Sequence, residues 1–152
     1  MKLKPARAIC MGLAFSLAAC RTQETLTDIR PYSSIVGRHY VLKSDCYTFY
    51  YRGNRKQLFI ATPKVDSTLP RDLESRQLPR KFGSITINGF VQKGSEFVVV
   101  RICREHTIEG SWYYYLASVT TAGARLSMVD VTPLLDTTKQ PPVVIAEIAS
   151  EQ

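Results

Sequence analysis

Residues 84–104 read SITINGFVQKGSEFVVVRICR, and this stretch decides the class of fold. Its first part alternates Ile85 and Ile87 with polar residues, which is typical of a strand with one buried face. The pair Lys93-Gly94 then marks a turn, and the apolar run EFVVVRICR after it predicts a second strand. Because only a short turn separates these strands, their order is predicted to be antiparallel.

The run EFVVVRICR is the most strongly apolar strand predicted for the chain, and both of its faces carry apolar residues. Strict alternation predicts one face with Val98, Val100 and Ile102 and another with Phe97, Val99 and Cys103.

Strand-like runs rich in aromatic and β-branched residues flank this stretch on both sides. They cover residues 39–51, 57–62, 111–120 and 125–131, and turn residues separate them. We therefore predict an all-β domain of five to six antiparallel strands, closed into a small barrel so that no strand edge is exposed. Residues 63–83 hold three prolines and many charges, which indicates a long inserted loop, and loops of this length are often functional.

Three short features are similar to those of bacterial Src-homology-3-like domains. They are the Lys93-Gly94 turn before an apolar strand, Gly110-Ser111-Trp112 at the start of the next strand, and Pro133 after the last strand. The resemblance implies a Src-homology-3-like barrel.

The first twenty residues have the order of a secretory signal: a basic start with Lys2, Lys4 and Arg7, an uncharged run over 8–19, and then Cys20. The sequence Leu-Ala-Ala-Cys resembles the lipobox of bacterial lipoproteins. In that family the preceding peptide is removed and the cysteine is acylated, which implies anchoring to a lipid bilayer through Cys20. An ordinary secreted protein remains an alternative, as does a membrane span, although twelve residues are short for one.

Arg21 follows the cysteine where lipoproteins retained in the inner membrane of enterobacteria carry Asp. By this resemblance the predicted location is the bacterial cell envelope, with the outer membrane favoured over the inner. The chain then divides into a signal peptide (1–19), a lipidated cysteine and tether (20–36), the barrel domain (37–135) and a C-terminal arm (136–152). The apolar residues of the arm favour its docking onto the domain or a partner.

Two cysteines, Cys46 and Cys103, remain after the signal peptide and Cys20 are set aside. In an oxidising compartment they are expected to form a disulfide, which would stabilise the domain by roughly 4 kcal/mol. A metal or nucleophile site built from Cys103 and His106 is the alternative, but it lacks the further ligands that a zinc site needs.

The charge is positive and unevenly distributed. The chain has 20 basic and 13 acidic residues, and three of the basic residues precede Cys20, so the formal charge is +7 in full and +4 without residues 1–19. Eight basic residues lie within 52–81. They form either a solvated loop or a patch that approaches lipid phosphates or anionic envelope polymers. Nucleic acid is an improbable partner for an exported protein.

No catalytic motif is present: the sequence has no nucleophile elbow, no phosphate-binding loop and no metalloprotease motif. We therefore expect neither an enzyme nor a cofactor nor a bound metal. Two strands are instead rich in aromatic residues, which suits the recognition of proteins or sugars. The candidate binding site is a groove lined by Tyr50, Trp112 and Tyr114 beside Arg52 or Arg80.

These features predict a membrane-anchored, non-enzymatic interaction module that binds an envelope protein complex or peptidoglycan. The alternative is a cell-wall hydrolase or a lysozyme-type inhibitor whose site is assembled only in the fold. The positive charge matches poorly with lysozyme, which is usually basic.

Overall fold

The computed structural model describes residues 22–71 and 78–152, and these residues form an all-β structure. The predicted signal peptide and Cys20 lie outside the described residues. No helix in the described ranges is long and apolar enough to cross a membrane.

Twelve strands and two short 3-10 helices are found in the described residues. The 3-10 helices are Tyr32–Ile35 and Thr132–Leu134. The strands are β1 (Thr22–Thr25), β2 (His39–Leu42), β3 (Cys46–Tyr51), β4 (Asn54–Ala61), β5 (Arg80–Phe82), β6 (Ile85–Val91), β7 (Glu96–Thr107), β8 (Gly110–Thr121), β9 (Ala124–Asp130), β10 (Leu135–Asp136), β11 (Val143–Val144) and β12 (Ala149–Glu151).

Ten strands form one sheet in the order β12-β2-β7-β8-β9-β4-β3-β6-β5, with β1 also paired to β7. The sheet has two halves, which we call the β7 half (β12, β2, β1, β7, β8, β9) and the β3 half (β4, β3, β6, β5). A parallel contact between β4 and β9, at Phe59 and Asp130, joins them. The sheet is not closed, because it ends at β12 and β5. The predicted closed barrel of five to six strands is therefore wrong, whereas the all-β class is confirmed.

The two long strands predicted around the Lys93-Gly94 turn belong to different halves, which is why the barrel does not form. β6 pairs with β3 and β5, whereas β7 pairs with β1, β2 and β8. The turn thus carries the chain across the sheet, next to the connection from β2 to β3. Three hydrogen bonds join these two connections. Gly94 N donates to Leu42 O at 2.8 Å, Leu42 N donates to Ser95 O at 2.9 Å, and Lys93 N donates to Asp45 Oδ1 at 2.7 Å.

A β-bulge in β7 changes which side chains are buried. The register with β8 shifts between Val99 and Arg101, so the strand resumes its alternation one residue later. Phe97, Val99 and Ile102 consequently share the core, while Val100 is 40% exposed. The predicted face of Val98, Val100 and Ile102 is therefore wrong, because alternation does not continue across a bulge.

Residues 22–25, which lie within the predicted tether, are part of the folded sheet. β1 pairs antiparallel with β7 from Thr22 opposite His106 to Thr25 opposite Cys103. Leu26 and Ile35 are buried, and Leu26 N donates to Ile102 O at 2.8 Å. Burial of these two apolar side chains supplies the free energy that holds this polar stretch on the sheet.

The C-terminal arm also docks. β12 pairs with β2, and β11 pairs with β10 in a separate two-stranded sheet. Ile148 and Ala149 are buried, and Lys43 N donates to Ile148 O at 2.7 Å.

Two hydrophobic cores lie on the sheet. The larger one includes Phe97, Val99, Ile102, Tyr115 and Leu134. The smaller one lies on the other face of the β3 half, beneath the long loop, which contributes Leu69 to it. Its buried members are Tyr47, Phe49, Ala61, Leu69, Ile85 and Ile87.

Cys46 and Cys103 are free thiols, so the predicted disulfide is wrong for this structure. Cys46 lies in the larger core, and its thiol donates to Ser44 O at 3.6 Å. Cys103 follows the core residue Ile102, so its side chain lies on the opposite face of β7, and its strand partner is Thr25 of β1. A disulfide needs Cβ atoms about 4 Å apart that face one another, and these two side chains belong to different strands and different environments.

Candidate functional site

A polar row crosses the open face of the β3 half. Tyr50 of β3 is paired with Thr86 of β6, and Thr86 is paired with Lys81 of β5. Directly paired residues project from the same face of a sheet, and so do residues two apart along a strand. Asn88, two residues after Thr86 on β6, therefore extends the row, and Arg52 lies beside it in the turn that follows β3.

These residues line a groove of about 720 Å³, which is within the usual size of a small-ligand site. We call it the basic groove. Apolar contact comes from Pro79 and Ile85, and polar contact from hydroxyl, amide and cationic groups. The described residues that line it are Tyr50, Tyr51, Arg52, Pro79, Lys81, Gly83, Ile85, Thr86 and Asn88.

Charge in the basic groove is of one sign. Arg52 and Lys81 are cationic, and no acidic residue is found among the lining residues that belong to 22–71 or 78–152. Neither cation forms an ion pair with a carboxylate within the residues that the structure describes. Among the described residues, the groove therefore presents two cations that no neighbouring carboxylate compensates, an arrangement that attracts anions.

The backbone fixes the end of the groove. Arg52 N donates to Ser84 O at 2.5 Å, which ties the end of β3 to the turn between β5 and β6. Gly83 in that turn has φ +49°, a left-handed conformation that glycine adopts without strain. The two cationic residues are thus carried by strands whose ends are joined.

Arg80, a predicted site residue, lies outside the basic groove. It alternates with Lys81 along β5, so its side chain is on the face of Phe82 and the smaller core. Its guanidinium lies over the Phe82 ring, 5.2 Å from the centroid, a cation–π arrangement. Lys81, and not Arg80, is the cation that β5 contributes to the groove.

Trp112 and Tyr114 are also separate from the groove, because β8 belongs to the β7 half. The Tyr114 hydroxyl donates to Glu105 Oε2 at 2.9 Å across the β7–β8 pair. Trp112 is 53% exposed near the end of the same hairpin. The structure thus brings Tyr50 and Arg52 together and places the other predicted aromatic residues elsewhere.

A polar cluster lies where β1 meets the β7–β8 hairpin. Arg104 Nε donates to Glu24 Oε2 at 3.0 Å, and this hydrogen bonding lowers the pKa of Glu24. Ser111 Oγ is 2.8 Å from His106 Nδ1, and His106 Nε2 is 3.8 Å from Glu24 Oε2.

Serine, histidine and glutamate in this order are the residue types of a hydrolase triad, in which the carboxylate orients the imidazole through a hydrogen bond. Here the distance of 3.8 Å is beyond hydrogen-bond range, and Arg104 already binds the same carboxylate oxygen. The cluster is arranged to hold β1 against the hairpin rather than to activate Ser111.

Two tyrosines strengthen this attachment. The rings of Tyr32 and Tyr113 stack with centroids 5.7 Å apart and an interplanar angle of 21°. Hydrogen bonds to Tyr32 and then to Arg104 lower the pKa of Tyr113.

A buried carboxyl group lies at the junction of the two halves. Asp130 is fully buried, and its Oδ1 accepts from Thr132 N at 2.9 Å. Within the described residues its Oδ2 has no hydrogen-bond partner. Burial raises the pKa of Asp130 to about 6, against the lowering effect of Thr132.

The cysteines do not form a reactive site. Burial raises the pKa of Cys46 to about 12 and also raises the pKa of Cys103, so both are protonated near neutral pH. Cys103 and His106 lie on opposite faces of β7, because they are three residues apart in a regular stretch of the strand. No group of three His, Cys, Asp or Glu side chains in the described ranges is placed to hold a metal ion.

Comparison with protein-family models, with curated proteins and with solved structures finds no match to this chain.

Sequence reasoning did not single out Lys81, Thr86 or Asn88 as site residues. Their common feature is a place on one face of β5 and β6, which depends on how those strands pair with β3. The available signals were the basic run that contains Lys81 and the alternation of Thr86 and Asn88 with Ile85 and Ile87.

Proposed function

We propose that this protein is a lipid-anchored, non-enzymatic binding module of the bacterial cell envelope, and that its basic groove binds peptidoglycan. The observation that carries the proposal is the groove itself, in which Tyr50, Arg52 and Lys81 line one cavity whose described lining includes no acidic residue.

The charge of the groove favours a ligand that carries carboxylates. Peptidoglycan offers them on its stem peptides. A guanidinium such as that of Arg52 can bind a carboxylate through two parallel hydrogen bonds, and an ammonium such as that of Lys81 acts as a point charge.

The other lining groups suit a sugar backbone. The Tyr50 ring gives a flat apolar surface with a polar tip, and Thr86 and Asn88 offer hydroxyl and amide groups for hydrogen bonds to sugar hydroxyls. A few directed polar groups within a partly apolar cavity are typical of small-ligand recognition.

The lipid anchor in this proposal is inferred from the sequence. The Leu-Ala-Ala-Cys stretch implies that Cys20 is acylated, and multiple acyl chains give stable membrane attachment where a single chain does not. A module held on the outer membrane in this way faces the wall polymer at short range.

The test is sedimentation of the full acylated chain, held in detergent micelles, with purified peptidoglycan sacculi. Arg52→Ala combined with Lys81→Ala is expected to weaken binding by at least tenfold, since hydrogen bonds to charged groups contribute roughly 1.5–3 kcal/mol each. The matched control is Lys93→Ala combined with Arg101→Ala, which removes the same charge at exposed positions outside the groove. Failure of the unaltered protein to sediment, or equal loss in both double variants, would contradict the proposal.

A further inference from the structure

The tip of the β7–β8 hairpin exposes two large apolar side chains. Ile108, in the two-residue connection between the strands, is 95% exposed, and Trp112 is 53% exposed. The tip is ordered by Thr107, whose Oγ1 accepts from Glu109 N and donates to Gly110 O, each at 3.2 Å. Leaving an isoleucine almost fully in water is unfavourable, which points to a partner at this position.

The start of β1 identifies that partner. Thr22 is paired with His106, so the chain enters the sheet beside the hairpin tip. Cys20 precedes Thr22 by two residues, and two residues of extended chain span at most about 7 Å. The acyl chains of Cys20, which belong to the proposed function, would therefore enter the bilayer next to Ile108 and Trp112.

We propose that the β7–β8 hairpin tip is a second membrane contact, with Ile108 and Trp112 in the interfacial region of the bilayer. Tryptophan favours this region because its ring is apolar and its N–H is polar. Glu109, at the same tip, keeps the contact at the level of the headgroups, since a carboxylate is costly in the hydrocarbon layer.

The attachment of β1 makes this contact specific. Glu24 is bound by Arg104 of β7, and Tyr32 stacks on Tyr113 of β8. β1, which begins two residues after Cys20, is therefore fixed to the hairpin. This fixes how the domain is oriented on the membrane, beyond attaching it there.

The chain provides its own probe, because Trp112 is its single tryptophan. The full acylated protein would be incorporated into phosphatidylcholine vesicles with or without brominated acyl chains, and the emission of Trp112 recorded. We expect emission at shorter wavelength than in a detergent-free, unacylated Cys20→Ser protein, and at least twofold quenching by the brominated lipid.

Ile108→Ser should reduce this quenching by at least half while the protein stays bound to the vesicles. Val143→Ser is the matched control, since Val143 is also an exposed apolar residue but lies on β11 in the C-terminal arm. Unquenched emission from an acylated, vesicle-bound protein would overturn the hairpin contact and leave the anchor intact. A mass spectrum without acyl groups on Cys20 would overturn the anchor, and the inference with it.

Discussion

The two halves of the sheet bury their residues in different ways. Part of the β3 half is covered on both faces, because Ile60 and Val91 enter the larger core while Phe49 and Ile87 enter the smaller one. The end of the β7 half is open and exposes Ile108 and Trp112. A strand rich in aromatic residues can thus serve as core, as β3 does beneath the long loop, or present its aromatic residues to a partner, as β8 does at the hairpin tip.

The largest expected effect on stability comes from removing a buried side chain from the smaller core. Phe49→Ala should lower the free energy of unfolding by about 3–5 kcal/mol, since Phe49 is fully buried and stacks on Phe59 with centroids 5.8 Å apart. Urea unfolding measures this change, and Ile108→Ala is the control, with a change of about 0.5 kcal/mol or less. Similar losses of unfolding free energy in the two variants would mean that Phe49 is not buried more deeply than the exposed Ile108.

Asp130 tests the junction between the halves. Its pKa is raised from 3.8 to about 6 by burial, so the folded state binds its proton more tightly than the unfolded chain. The resulting stability is fully present below pH 4 and is lost as the pH rises through 6, by up to about 3 kcal/mol. Asp130→Asn should remove this loss when urea unfolding is compared at pH 4.5 and pH 7.

Asp136→Asn is the matched control, because hydrogen bonds from Thr138 lower the pKa of this half-buried carboxyl and the sign of its pH dependence is reversed. If the pH dependence survives in Asp130→Asn, Asp130 is not the buried group that titrates.

A bulge within the β3 half offers a smaller effect. A Cβ on Gly89 would lie 3.1 Å from Oγ1 of the buried Thr48, so Gly89→Ala should destabilise the protein by about 1–3 kcal/mol. In a double-mutant cycle, Thr48→Ala should relieve most of that cost, because the contacting oxygen is removed. Additive losses would mean that the crowding at Gly89 has another source.

The smallest expected effect is that of a reductant. With Cys46 and Cys103 as free thiols, dithiothreitol should leave the midpoint of urea unfolding unchanged. Both thiols should react with maleimide only after unfolding, because they are buried and protonated. If reduction lowers the midpoint by the equivalent of about 4 kcal/mol, the two cysteines form a disulfide in the protein and are not free thiols.

Local sequence patterns predicted the regions of β2 to β4 and of β6 to β9, but not the strands β1, β5 and β10 to β12, and not which strands pair. Alternation at Ile85 and Ile87 and the turn at Lys93-Gly94 correspond to observed features. The bulge after Val99 and the parallel contact of Phe59 with Asp130 depend on pairing between strands distant in sequence, for which no local signal exists. The closed barrel was predicted because every short turn was taken to join neighbouring strands.

The same distinction applies to the candidate site. Tyr50 was predicted from its aromatic strand and Arg52 from the basic turn that follows it, and the structure places both in the basic groove. Lys81 and Asn88 join them through cross-strand pairing, which spacing along the chain does not encode. Trp112 was assigned to the groove on residue type alone, and its strand lies in the other half of the sheet.

The most direct measurement records sacculus sedimentation and Trp112 quenching on the same set of full-length acylated variants. If the β3 half binds the wall and the β7 half contacts the membrane, Arg52→Ala with Lys81→Ala should lose sedimentation by at least tenfold and keep its quenching. Ile108→Ser should lose quenching and keep its sedimentation. Loss of both properties in either variant, or of neither in both, would contradict the division of roles between the two halves.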